Sequence, residues 1–251
     1  MTTPGFIILS GDGINCENET ALAFREVGAN ADIIHINELL ERPHILKNYQ
    51  GMAIPGGFSF GDELGSGQVL AMKIKYKLHD AMSEMVANGG AIIGICNGFQ
   101  VLTKLGLLPS VGEKRQASLT TNESGHFINR WVSLEKETNT VCKWLMDIPD
   151  TFSLPVRHGE GRLVFTSGEE ESIFNKLSKN GQIALYYDED INGSYKNIAG
   201  LCDESGMIFG LMPHPEASMF KEVAPIHSQS GTISTAGRYI FGSIVSYIKN
   251  S

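Results

Sequence analysis

The nonpolar residues of this chain gather in short unbroken runs, set apart by stretches that mix polar and nonpolar positions. Residues 6–9, 51–54 and 91–95 carry hardly a polar side chain. Runs this short and this apolar read as strands buried on both faces, because a strand with one wet face would alternate. Residues 31–36 read as a further strand. Between the runs, 17–27 predicts a helix. Residues 67–87 predict a single long one, with Val69, Met72, Leu78, Met82 and Met85 on its apolar positions and Asn88, Gly89 and Gly90 as its stop. Strand and helix in alternation predict an α/β fold, a doubly wound and mostly parallel sheet of flavodoxin-like form. Ligands gather at the carboxyl ends of strands in such sheets. Residues 11–13, 55–57 and 94–98 fall at those ends.

After Pro109 the rhythm changes. Residues 116–135 alternate weakly and read as strands of a small antiparallel addition, followed by a short helix over 139–146. A strand over 155–158 runs into a glycine turn at 159–161. Further strands are expected at 183–187 and 207–212, the latter stopped by Pro213, and 235–249 predicts a terminal helix with Ile240, Ile244, Val245 and Ile248 on one face. No repeat or low-complexity linker divides the chain, so residues 1–251 read as a single domain.

Composition narrows the class. At 251 residues, 42% hydrophobic and 19% charged, the chain reads as a well-packed globule, and its net charge of −8 excludes nucleic acid as the main partner. No run approaches the roughly 18 apolar residues of a spanning helix, and the first residues lack the basic and apolar blocks of a signal peptide, so a cytoplasmic protein without a membrane role is expected. Cys16, Cys96, Cys142 and Cys202 are too far apart for metal-ligand spacing or a disulfide framework, and no metal site is expected. Asn18, Asn122 and Asn192 fit the glycosylation acceptor pattern, which without secretion is a chance match.

Chemistry concentrates at Cys96. A lone cysteine is ordinarily a small buried hydrophobe. Here, however, Gly94 and Gly98 frame it where the 91–95 strand turns into a helix at 100–105, the thiol counterpart of a nucleophile elbow. The glycines allow the sharp reversal, and the helix N-terminus beside the sulfur favours its ionised form. A base must complete the arrangement. His214 sits at the end of the 207–212 strand with its backbone restricted by Pro213 and Pro215, and Glu216, two residues on, points to the same side to orient it. Cys96, His214 and Glu216 are thus the candidate catalytic residues. Acyl chemistry also needs an oxyanion hole. The Asn97 N–H follows the nucleophile, and the Gly56–Gly57 turn at a neighbouring strand end offers a second donor.

Cys96-Asn97-Gly98-Phe99-Gln100, together with Pro213-His214-Pro215-Glu216, resembles the class I, triad-type glutamine amidotransferases. Residues 55–62, 158–161 and 192–194, followed by 198–200, resemble more closely the glutaminase subunit, or fused glutaminase domain, of phosphoribosylformylglycinamidine synthases. The resemblance implies that glutamine is hydrolysed through a thioester on Cys96. It further implies that Gln100 contacts the substrate and that the His158–Gly159 backbone holds its amino acid end. The ammonia would convert formylglycinamide ribonucleotide to the amidine in de novo purine biosynthesis. This chain lacks a phosphate-cradling loop, so it would carry no cofactor. ATP and magnesium are expected on a large synthase subunit, the implied partner, with a small accessory subunit also possible in the assembly. The chain departs from the stand-alone pattern at 63–67 and at Ala217, and its segments 112–131 and 220–235 look more like the fused form; these bear on the partner interface. A thiol hydrolase or peptidase of the same fold, or a non-catalytic binding subunit, are the competing readings. Gln100 and residues 58–62 count against the peptidase, and the intact Cys96, His214 and Glu216 count against the non-catalytic subunit.

Overall fold

The computed structural model describes residues 2–111, 115–225 and 235–250. Residues 112–114 and 226–234, parts of the two segments noted above, lie outside it. The first half follows its pattern except for α2, a helix between two strands read as consecutive: β1 (Gly5–Ser10), α1 (Glu17–Glu26), β2 (Asn30–His35), α2 (Ile36–Glu41), β3 (Gly51–Ile54), α3 (Gln68–Lys77), α4 (His79–Ala87), β4 (Ala91–Ile95) and α5 (Asn97–Leu105). The second half adds β5 (Ala117–Thr120), β6 (Ile128–Lys136), β7 (Thr151–His158), β8 (Arg162–Phe165), α6 (Glu170–Lys179), β9 (Ile183–Tyr187), β10 (Ile198–Cys202), β11 (Ile208–Leu211) and α7 (Ala236–Asn250).

Nine strands form one sheet in the order β2-β1-β3-β4-β11-β10-β9-β6-β7. From β2 to β11 every pair is parallel. From β11 onward every pair is antiparallel. β5 and β8 form a separate antiparallel pair. α1, with α7 packed on it, lies against β1 and β2, and α5, with α3 packed on it, lies against β3 and β4. Covered on both sides, β3 and β4 are buried at every position, which is why their sequences run apolar without alternation. Under α1 and α7 lies an aromatic cluster. Phe6 and Phe24 stack at 4.2 Å, and Trp144 meets both edge-on while its Nε1 donates to the Met207 carbonyl at 2.9 Å.

Two elements differ from the pattern's prediction. The long helix over 67–87 is two helices meeting at Leu78, whose φ of −112° bends the axis. The Leu78 and Met82 N–H groups still bond four residues back, so the joint is a bend. Its two halves rest on different neighbours, α3 on α5 and α4 on the turn at Pro43–Asn48. The helix over 139–146 shrinks to a 3-10 turn, Lys143–Leu145, because the N–H groups of Val141 and Lys143 bond instead to the carbonyls of Gly181 and Gly206. Three elements of the second half gave no readable signal. α6 buries only Ile173 and Leu177, too thin a stripe to stand out, and β8 and β10 are short.

The antiparallel half curls. β7 ends the sheet, yet the carbonyl of its Pro155 accepts the His214 N–H at 2.8 Å, so this outer edge returns to the segment that follows β11. The chain leaves β1 to one side for β2 and comes back to the other for β3, a switch point that opens a crevice at the carboxyl ends. The curl walls that crevice in.

Candidate active site

Cys96 caps α5 with φ 51° and ψ −104°, a left-handed conformation in which a residue with a side chain is strained. Its N–H is held by the Leu211 carbonyl at 2.8 Å. The flanking glycines are required by contact. A Cβ on Gly98 would lie 1.8 Å from the Ile54 carbonyl oxygen, and one on Gly94 would lie 2.6 Å from the Gly98 backbone. Strand, turn and helix approach so closely that only hydrogen fits between them. The elbow read from the sequence is present, and its sulfur, nearly buried, sits 3.7 Å from the Arg157 carbonyl oxygen.

His214 and Glu216 meet as the i, i+2 spacing predicts. Nδ1 of the imidazole is 2.6 Å from Glu216 Oε1, and both side chains are buried. Nε2 has no hydrogen-bond partner among the described residues and is the atom left for proton transfer. Burial pushes the imidazole toward its neutral form. The Glu216 carboxylate, aided by the neighbouring Cys96 and Cys16, outweighs this and holds the pKa well above the ordinary histidine value.

Cys96 and His214 open onto a cavity of about 210 Å³ lined also by Gly57, Gln100, His158 and Gly159. A larger cavity of about 600 Å³ lies at the opposite, amino ends of the strands around Gln50, Gly90 and Met207. It holds neither a cysteine nor a histidine, so chemistry rather than size selects the smaller one. The predicted glycine pair divides its work. Gly57 lines the cavity, whereas Gly56 makes room for the base, since a Cβ there would stand 2.8 Å from His214 Cε1. Asn97 opens α5, where its N–H has no acceptor within the helix. Gln100 is buried in the cavity wall with its Nε2 donating to the Glu160 carbonyl and its Oε1 accepting from Asn97 Nδ2 at 3.0 Å. His158 is buried beside it. Burial first, and then the charge of His214, pull its pKa down to about 4, so it is neutral at physiological pH.

Two residues of the site carried no usable sequence signal. Cys16, at the end of the loop after β1, lines the same cavity, and its sulfur, a His214 ring nitrogen and a Glu216 oxygen all lie within 4.8 Å of one another. Among the described residues this is the grouping whose donor atoms suit a metal, but its imidazole and carboxylate are already bonded to each other. Burial pushes the Cys16 thiol up. The switch-point position of residues 11–13 was the available hint. Asn122 is the other. Its Oδ1 accepts from the Gly161 N–H and meets His158 Nδ1, while its Nδ2 donates to the His158 carbonyl, so it staples the whole 158–161 turn. That asparagine matched a glycosylation pattern by chance; its actual place is the interior.

Known proteins resemble this chain over most of its length. The model of the CobB/CobQ-like glutamine amidotransferase domain matches residues 3–248. A protein of Methanococcus maripaludis named phosphoribosylformylglycinamidine synthase subunit PurQ is 43% identical, over 88% of this chain and 85% of its own. One of the same name from Dehalococcoides mccartyi is 44% identical over 84% of each. Among solved structures, that of PurLQS from Thermotoga maritima contains a chain 30% identical, with a TM-score of 0.77 over 98% of this chain and 100% of that one. A glutamine amidotransferase from the same organism, 17% identical with a TM-score of 0.56, shares the fold.

Proposed function

The chain belongs to the family of CobB/CobQ-like glutamine amidotransferase domains, and from that premise we propose how it works as the glutaminase component of phosphoribosylformylglycinamidine synthase. Residues 1–251 act as one amidotransferase domain. Cys96 Sγ, its proton already held by His214 Nε2, attacks the side-chain carboxamide carbon of glutamine. The tetrahedral oxyanion is received by the backbone N–H groups of Asn97 and Gly57. Ammonia leaves with the proton that His214 returns, and a water activated by the same nitrogen then hydrolyses the glutamyl thioester. Glu216 keeps Nδ1 protonated so that Nε2 is the working atom throughout. Gln100, His158 and Gly159 form the wall against which the amino acid end of the substrate rests.

The single observation behind this reading is the convergence of a strained Cys96 and the 2.6 Å His214–Glu216 pair on one cavity. A peptidase has no use for the glutamine-lined wall, and a non-catalytic subunit has none for the strained elbow. Ammonia passes to a PurL-type synthase partner, which binds ATP, magnesium and the ribonucleotide in purine biosynthesis. This chain itself uses no cofactor. A cytoplasmic location belongs to the same reading, in keeping with four free cysteines. Among the described residues no helix is long and apolar enough to cross a membrane.

Mass spectrometry after treatment with diazo-oxo-norleucine tests the assignment. One adduct on Cys96 is expected. Because Cys16 lines the same cavity, an adduct there instead would overturn the choice of nucleophile.

A further inference from the structure

Asn97 has two attachments that act on different partners. Its backbone N–H follows the nucleophile and is free at the head of α5, while its buried side chain is fully engaged elsewhere. Nδ2 donates to Asp62 Oδ1 at 3.2 Å and to Gln100 Oε1 at 3.0 Å, and Oδ1 accepts the Ser59 N–H at 3.4 Å. A side chain held at every polar atom cannot rotate, so the peptide plane between Cys96 and Asn97 is fixed with it.

Asp62 is unusual at the other end of that bond. Phe60, Gly61 and Asp62 follow one another at φ 54°, 67° and 52°, a run of left-handed residues in the loop after β3. For residues with side chains this conformation is strained, and it persists only where surrounding contacts enforce it. Backbone bonds from Phe60 to the Asp12 carbonyl and from Gly61 to the Phe58 carbonyl supply some of those contacts, and the Asp62 carboxylate supplies others. It accepts the Gly67 N–H at 3.2 Å and the Ser66 hydroxyl at 3.1 Å within its own loop. Its remaining bond, to Asn97, is the one that leaves the loop. Through Gln100, whose Nε2 donates to the Glu160 carbonyl, the chain of bonds reaches the 158–161 turn on the far side of the cavity.

We infer that Asp62 is a positioning residue for the glutaminase reaction: by holding the Asn97 side chain it aims the Asn97 N–H at the oxyanion formed on Cys96 chemistry. This rests on the assignment of Cys96 as nucleophile. Asp62 also borders the cavity, so a direct charge contact with the substrate ammonium is the rival role to be separated.

Two variants in the assembled synthase separate them. Asp62→Ala removes the acceptor. Asp62→Asn keeps an oxygen for Asn97 and Gly67, and the Ser66 hydroxyl can turn to accept from the new amide. With Asp62→Ala the glutaminase kcat is expected to fall about ten- to a hundredfold while KM moves less than about threefold. Asp62→Asn is expected to stay within about threefold of the parent on both. Alkylation of Cys96 by iodoacetamide, which forms no oxyanion, should keep its rate in both variants, and ammonia-dependent synthesis reports assembly. Should the alanine variant fail to assemble, Asp62→Gly, suited to φ 52°, takes its place. A rise in KM shared by the alanine and asparagine variants would assign Asp62 to the substrate ammonium and overturn the inference. So would an alkylation rate that falls in step with kcat, or a kcat unchanged in every variant. Persistent glutaminase activity in Cys96→Ala would instead remove the nucleophile assignment itself.

Discussion

The two halves of the sheet divide the labour of the site. The parallel half, β2 through β11, carries the residues proposed to react: Cys96 follows β4, and His214 and Glu216 follow β11, the strand paired beside it. The antiparallel half supplies the part of the wall that faces Gln100, Arg157 to Glu160, by curling β7 back over the crevice. Reacting groups are set by local geometry, one tight elbow and one i, i+2 pair on adjacent strand ends. The wall is set by pairings far apart in sequence. Damage to the parallel half should therefore appear in kcat, and damage to the antiparallel half in KM.

Cys96→Ala is the largest test. Glutamine-dependent synthesis should fall by about 10⁶-fold while ammonia-dependent synthesis by the assembled complex survives. Loss of the ammonia route in an intact complex would break the division of labour between subunits. Glu216→Gln, assayed the same way, should lower kcat by about 10⁴-fold with little change in KM, since the imidazole then loses its tautomer. Gly98→Ala tests the elbow as structure. Its new Cβ, 1.8 Å from a backbone oxygen, should cost about 3 kcal/mol or more in urea denaturation.

The wall answers to pH. His158 binds a proton near pH 6.5 when unfolded but only near 4 when folded, so between these values the unfolded state carries more protons. Stability therefore rises with pH across that window and is lost as pH falls, by about 3 kcal/mol at most. His158→Asn, which keeps a donor for Asn122, should flatten that slope in denaturation midpoints and raise KM more than it lowers kcat. His214 has the opposite sign. Its raised pKa gives stability that is complete below pH 6.5 and is lost only as pH climbs through the folded value, so the two histidines act in separate windows. Smallest of all, Gly159→Ala should change stability by less than about 0.5 kcal/mol, because its Cβ would meet only Phe127 at 3.8 Å.

The same division decides what could be read from the chain. Cys96 between Gly94 and Gly98, and His214 two residues before Glu216, announce themselves because the constraint that makes them work is local. The apolar runs of β1, β3 and β4 are legible for the same reason: burial on both faces leaves an unbroken pattern. Cys16 is not, because its nearness to His214 exists only once β1 and β11 share a sheet. Asn122 is not either, since a loop residue that bonds to a turn nearly forty positions away resembles any other polar loop residue. The bend at Leu78 is invisible because a helix repeat records which residues are buried and not against what.

Pro155 has one more consequence. Outer strands present unpaired carbonyl and N–H groups to passing chains, and β7 is such a strand. At residue 155 proline removes the donor, and the His214 N–H occupies the acceptor. The backbone of His214 thus shields the sheet against the addition of a foreign strand. A change that frees this segment would cost the protein its solubility as well as its turnover, and an aggregation-prone preparation would be the first sign that the base had come loose.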